Sequence, residues 1–301
     1  AQPAFEPGLP DAPPLACGND LHHEELASGM RELWKWEMEN ASIAAKSTTP
    51  ANPSGFQPVT GAAPSIPAIP LRNHHSRSMV DAPDDSVVID LLVVYTDRAD
   101  ELATAKYGSF DAGLSLALAE SQLVLDNSAL PIRLRLVHTH RTDYDETTDG
   151  ASNYDRLYRL TIPEDGHMDE VPAIRDSVGA DLVVGIIDLS NVNGIGWLLN
   201  TPEGWPLVGV SLTDPASLSG NYTLIHEIGH NMGLNHSRSQ QSQRAEPFGG
   251  VFHHSVGYRW ASETGSYNSV MAYREGADVE APLYSSPDLQ WGGAPAGTLD
   301  G

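Results

Sequence analysis

At 301 residues and a formal net charge of −23, the chain has length enough for one large domain or two smaller ones, and it would repel a phosphate backbone, which excludes nucleic acid as a partner. Its single cysteine, Cys17, forbids an intrachain disulfide. No run approaches the ~20 apolar residues that span a bilayer, so no membrane is expected either.

The first residues, Ala1-Gln2-Pro3-Ala4, have neither a basic start nor an apolar run. No signal peptide is expected, and a mature exported chain would begin in this way. Residues 1–84 hold 12 of the 22 prolines. Pro50 and Pro53, then Pro64, Pro67 and Pro70, rule out helix or central strand around them. One helix is predicted ahead of these stretches, over 21–45, with Trp34 and Trp36 placed to pack it against a neighbouring surface. The remainder reads as an extended arm or linker.

After Asp85 the character changes. The run Val87-Val88-Ile89-Asp90-Leu91-Leu92-Val93-Val94-Tyr95 suits a buried strand. Leu114, Leu118, Val124 and Leu125 recur at helical spacing in 112–127. Residues 131–138 alternate apolar and basic, as a half-exposed strand does, and 180–187 form a second buried strand. Between them, 143–150 collects carboxylates near a glycine without the spacing of a calcium loop; a solvated turn is expected, and Ca²⁺ is unsupported there. Short strands are predicted over 194–199 and 207–212, then a helix from about Tyr222. This order predicts an α/β sandwich (α+β in the wider sense) on a mixed sheet. The His pairs at 22–23, 74–75 and 253–254 lack ligand spacing and are expected at the surface, and Asn221-Tyr222-Thr223 is a glycosylation sequon.

The chemistry is concentrated in His226-Glu227-Ile228-Gly229-His230-Asn231-Met232-Gly233-Leu234-Asn235-His236. Positions four apart share a helix face, so His226 and His230 can point at one ion. Gly233 lets the backbone leave the helix and bring His236 round as a third ligand. Three protein ligands leave the fourth position of a Zn²⁺ ion open, as catalytic rather than structural sites do. Glu227 sits beside the first ligand, placed to act as general base on a water at the metal.

This run resembles the extended zinc motif of the metzincin metallopeptidases, and Ser269-Val270-Met271-Ala272-Tyr273 resembles their Met-turn. Tyr284-Ser285-Ser286-Pro287-Asp288 is similar to a segment of bacterial reprolysin-like enzymes, including the peptidyl-Asp metalloendopeptidases. The resemblance runs over roughly 85–295 and implies a mostly parallel twisted sheet with an active-site helix. It implies that Met271 forms the floor of the site. It places Tyr273 near the metal, where it ligates at rest and swings to the oxyanion, against the alternative of a packed aromatic. It also implies an edge strand that binds extended peptide, at Gly194-Ile195-Gly196-Trp197-Leu198. The cysteines that some members carry near that strand are missing here.

Cys17 lies in Leu15-Ala16-Cys17-Gly18-Asn19-Asp20, which loosely resembles the cysteine-switch segment of matrixin pro-peptides. A thiolate is a good zinc ligand and would take the position of the catalytic water. Residues 1–80 are then expected to be an inhibitory pro-segment and 81–301 the catalytic domain, with activating cleavage near 71–78; Asp20 is a competing latch. The expectation is a secreted zinc endopeptidase, made latent, acting on protein or peptide substrates. Its rivals are a catalytically silent, zinc-stabilised protein-binding module and a zinc hydrolase of non-peptide substrates. Arg259 and Arg274, flanking the Met-turn, are the candidates to favour acidic substrate residues.

Overall fold

The computed structural model describes residues 17–21, 23–47, 86–240 and 249–299; the proline-rich stretches around 50–70, the 71–78 region and the His74-His75 pair lie outside them. Two helices, α1 (Gly18–Leu21) and α2 (His23–Ser47), precede the sheet. α2 begins two residues after the predicted 21 and carries Glu24 and Glu25 in its first turn, where acids complement the helix dipole.

Strand β1 (Val87–Tyr95) is the spine of the main sheet. Leu92 and Val94 enter one apolar cluster, Leu91 and Val93 the other, and all four are fully buried. A strand covered on both faces needs a continuous aliphatic run, which is why this one was so legible. α3 (Asp97–Tyr107) is capped by the Thr96 hydroxyl and stops at Gly108, whose φ of 86° suits glycine. α4 (Phe110–Asn127) starts ahead of the predicted 112 because Ser109 accepts from the Ala112 N–H. β2 (Ile132–Arg141) then pairs parallel with β1.

Helices α5 (Asn153–Thr161) and α6 (Val171–Val178) cover the other face, and β3 (Leu182–Ile186) returns on the far side of β1. β4 (Gly194–Gly196) and β5 (Val210–Thr213) complete a five-stranded sheet in the order β2-β1-β3-β5-β4. Every pairing is parallel except that of the edge strand β4, which runs antiparallel to β5. The α/β class with a mixed, mostly parallel sheet is thus as expected. Beyond α7 (Thr223–Asn231), strands β6 (Arg259–Ser262), β7 (Gly265–Ser269) and β8 (Val279–Ala281) form a small sheet. β9 (Ser286–Trp291) and β10 (Ala294–Ala296) form a hairpin beside it. No helix among the described residues is long and apolar enough to cross a membrane.

Several local expectations are corrected. The strand predicted over 194–199 ends at Gly196, because Trp197 turns inward: its indole N–H donates to Thr161 Oγ1 at 2.8 Å and its ring meets Tyr154 edge-on. The strand predicted from 207 begins at Val210, since Pro206 starts a 3-10 turn through Val208. Segment 143–150 turns at 146–148 with Asp143, Asp145, Thr147 and Thr148 exposed, as expected, but it is also anchored to the body. Glu146 is buried and accepts from the Thr96 hydroxyl at 2.7 Å and the Asp188 N–H at 3.2 Å, while Asp149 pairs with Arg159 at 2.6 Å. These bonds tie the segment to the residues just beyond β1 and β3. The sequon's Asn221 is buried and bonded to Thr223 Oγ1, so the folded chain does not present it.

α2 lies on the main body through Leu26 and Leu33, both buried, with Met30 and Trp36 packed beside them. Trp34, expected to share that role, is 60% exposed. Instead Trp205 of the body reaches α2, donating to Glu37 Oε2 at 2.8 Å. Gly29 permits the close fit, for a Cβ there would stand 2.3 Å from the Tyr154 hydroxyl and 2.9 Å from the Trp197 ring.

Candidate active site

Every residue of α7 is buried, so the imidazoles it carries face protein and not solvent. Met232 N and Leu234 N bond back to the last turn, and Gly233 at φ 91° reverses the chain and delivers His236. His226 Nε2 and His230 Nε2 lie 3.1 and 3.2 Å from His236 Nε2. The opposite nitrogens are engaged: His226 Nδ1 at 2.8 Å from Val270 O, His230 Nδ1 at 2.8 Å from Leu234 O. A carbonyl can only accept, so both Nδ1 atoms carry the proton and both Nε2 atoms present lone pairs. Lone pairs converging in a buried space suit a cation there.

The fourth donor is Cys17. Its Sγ is 3.6 Å from His230 Nε2, and the four donor atoms lie within 4.8 Å of one another, all buried. Among the described residues this is the one such convergence of ligand side chains. Glu227 is fully buried beside it, with Oε2 3.4 Å from the thiol. Met271 lies beneath the helix: a Cβ on Gly229 would stand 2.6 Å from its Sδ, so the glycine in the motif makes room for the methionine. Asn268, not anticipated from the sequence, holds that turn through Nδ2 to Ala272 O at 2.6 Å. Tyr273 is near the histidines, its ring centroid 4.9 Å from that of His236, but its hydroxyl is engaged by the arm, accepting from Cys17 N at 2.8 Å and donating to Cys17 O at 3.3 Å.

The arm lies along the sheet edge. Cys17 bridges Gly194 in parallel sense. Asn19, another residue the sequence did not single out, behaves like a peptide unit: Nδ2 donates to Gly196 O at 2.9 Å and Oδ1 accepts from Gly196 N at 3.0 Å. Gly18 sits against Ile195, where a Cβ would come within 2.8 Å. The three edge residues Gly194, Ile195 and Gly196 are therefore covered by residues 17–19. Trp197 differs from them, being spent on the core: its side chain is buried, and its backbone N–H and C=O go to Val210 O and the Asn231 amide. The side chain of Asp20, the rival latch, lies outside the described set.

Of the two flanking arginines, Arg259 is committed to Asp278 at 2.5 and 2.8 Å. Arg274 is 3.4 Å from Glu280, whose burial pushes its carboxyl up to about 8 despite that neighbour.

Three imidazoles and a thiol of this geometry suit Zn²⁺, which takes nitrogen and sulfur ligands readily. Residues 114–237 match the Metallo-peptidase family M12B Reprolysin-like. Over that stretch the chain resembles the reprolysin-like metallopeptidases, and its three histidines and one cysteine are a candidate zinc site. Among its relatives, the peptidyl-Asp metalloendopeptidase of Pseudomonas aeruginosa is 29% identical over 224 residues, 67% of this chain and 35% of that protein. That of Stenotrophomonas maltophilia is 28% identical over 235 residues, 77% of this chain and 53% of that protein. The chain thus spans about a third to a half of the length of these relatives. A chain in a solved chaperone–substrate complex is 20% identical with a TM-score of 0.52, covering 71% of this chain and 32% of its own, a likeness of fold alone.

Proposed function

We propose that the chain is an exported zinc endopeptidase held latent by its own amino-terminal arm. The observation that carries this reading is Cys17 Sγ standing among the three histidines with Glu227 Oε2 3.4 Å away. A thiol there takes the place a reacting water needs, and the arm covers the edge that a peptide would pair with. Residues 1–80 are the pro-segment and 81–301 the catalytic domain in this reading, with α2 as the anchor of the pro-segment. Zinc, when bound, supplies Lewis acidity toward water and toward the scissile carbonyl.

The chain's residues do the rest. Once the arm leaves, the outward N–H and C=O groups of Gly194 and Gly196 bind extended peptide, while Ile195 between them stays turned to β5. Glu227 takes the proton of the attacking water and returns it to the leaving amine. The Tyr273 hydroxyl, released from Cys17, donates to the developing oxyanion. Met271 supports the imidazoles from below. Cleavage beside aspartate is proposed from the relatives' name, and Arg274 is the better candidate to receive that carboxylate because Arg259 already serves Asp278.

The test is hydrolysis of casein by the full chain after a mercurial removes the Cys17 thiol. Chelation should abolish turnover, and Glu227→Gln should keep one zinc per chain while lowering kcat by about 10²–10⁴-fold. Undiminished turnover in metal-replete Glu227→Gln would overturn the assignment of the base.

A further inference from the structure

We infer that Asn231 is the positioning residue that fixes the peptide-accepting edge against the zinc helix; the inference rests on the peptidase reading above. Asn231 follows the ligand His230 at the end of α7 and is 5% exposed. Its Nδ2 lies 3.0 Å from each of three carbonyls: Trp197 O just past β4, Val208 O in the turn, and Val210 O at the start of β5. Three acceptors at one end of the carboxamide require the nitrogen there, because an oxygen would meet only lone pairs. The other end, Oδ1, is buried and bonds to nothing among the described residues. Leaving that acceptor unmet is unfavourable, so the position is set by what the amide nitrogen holds.

The edge meets α7 at two ends. At one, the contact is steric: a Cβ on Gly194 would stand 2.6 Å from Glu227 Cγ, and one on Gly196 3.1 Å from Glu227 O. These glycines let β4 approach the base closely. At the other end the tie is polar, through the Asn231 amide and the Leu199 N–H to His230 O at 3.0 Å. Gly196, whose outward N–H and C=O are the pair now filled by Asn19, lies between the two. Asn231 thereby sets where a bound peptide's backbone stands relative to Glu227 and the histidines.

The experiment compares Asn231→Asp, Asn231→Leu and Asn231→Ala with the parent, all as mercurial-activated full chain. Measured are zinc content, kcat/KM on a quenched octapeptide with an internal aspartate and on a blocked dipeptide, and deuterium exchange over 194–199. The variants should hold one zinc and lose on the order of 100-fold in kcat/KM on the octapeptide, since a displacement of about 1 Å costs that much. The dipeptide, which barely uses the edge, should lose less than about 10-fold, and exchange at 196–199 should quicken. Equal losses on both substrates, unchanged exchange, or failure of all three variants to fold with zinc would each overturn the assignment. A parent that cleaves neither substrate would instead sink the peptidase reading, and the exchange data would still decide for or against Asn231.

Discussion

Glu280 shows how burial and charge compete at a single position beside the Met-turn. It is 4% exposed, and desolvation outweighs Arg274 at 3.4 Å, so its carboxyl titrates near 8. The folded chain therefore keeps a proton that the unfolded chain releases near pH 4–5. The associated stability is fully present below that range and is lost as pH rises through about 8. Melting curves from pH 5 to 8 should show a decline that Glu280→Gln reduces, on the order of 5 °C over the interval. A decline of equal slope in both proteins would show that this carboxyl is ionised throughout. At this scale the sequence was most informative where ligands share one short segment: His226, Glu227, His230 and His236 needed only helix geometry and one glycine. Asn19 and Asn231 were not legible, because an asparagine's role depends on which carbonyls the tertiary fold brings to it. Trp197 misled for the same reason, as nothing local says that its ring turns toward Thr161 and Tyr154.

Among the elements, β1 and β4 mark the two extremes of legibility. β1 is sandwiched between helix layers, and burial on two faces imprints its whole length on the sequence. β4 is a three-residue edge whose ends are decided by Trp197 and by contact with Glu227, so its predicted length was too great. The helix α2 was found nearly to its ends, yet its docking face was not, because Trp34 and Trp36 differ only in rotation about the axis. Its seat on the body depends on Gly29. Gly29→Leu overpacks the contact with Tyr154 and Trp197, a disturbance of about 1–3 kcal/mol that shifts docking some ten- to hundredfold. The untreated full chain with this change should digest casein at a rate approaching that of Cys17→Ala. Preserved latency would mean that α2 does not help to seat the thiol.

For the molecule as a whole, the arm, the sheet edge and the zinc helix form one closed unit, in which the same groups that would bind peptide are satisfied by residues 17–19. Net charge and composition could only exclude partners; the long-range pairing of Cys17 with a helix more than two hundred residues away was suggested by a motif and is given its form by the fold. The most direct test of the account is zinc K-edge X-ray absorption on the untreated full chain, with metal analysis alongside. One zinc per chain with three nitrogen neighbours at ~2.0–2.1 Å and one sulfur at ~2.3 Å is the predicted result, the sulfur disappearing in Cys17→Ala. A zinc shell of nitrogen and oxygen alone, or a chain without stoichiometric zinc, would contradict it.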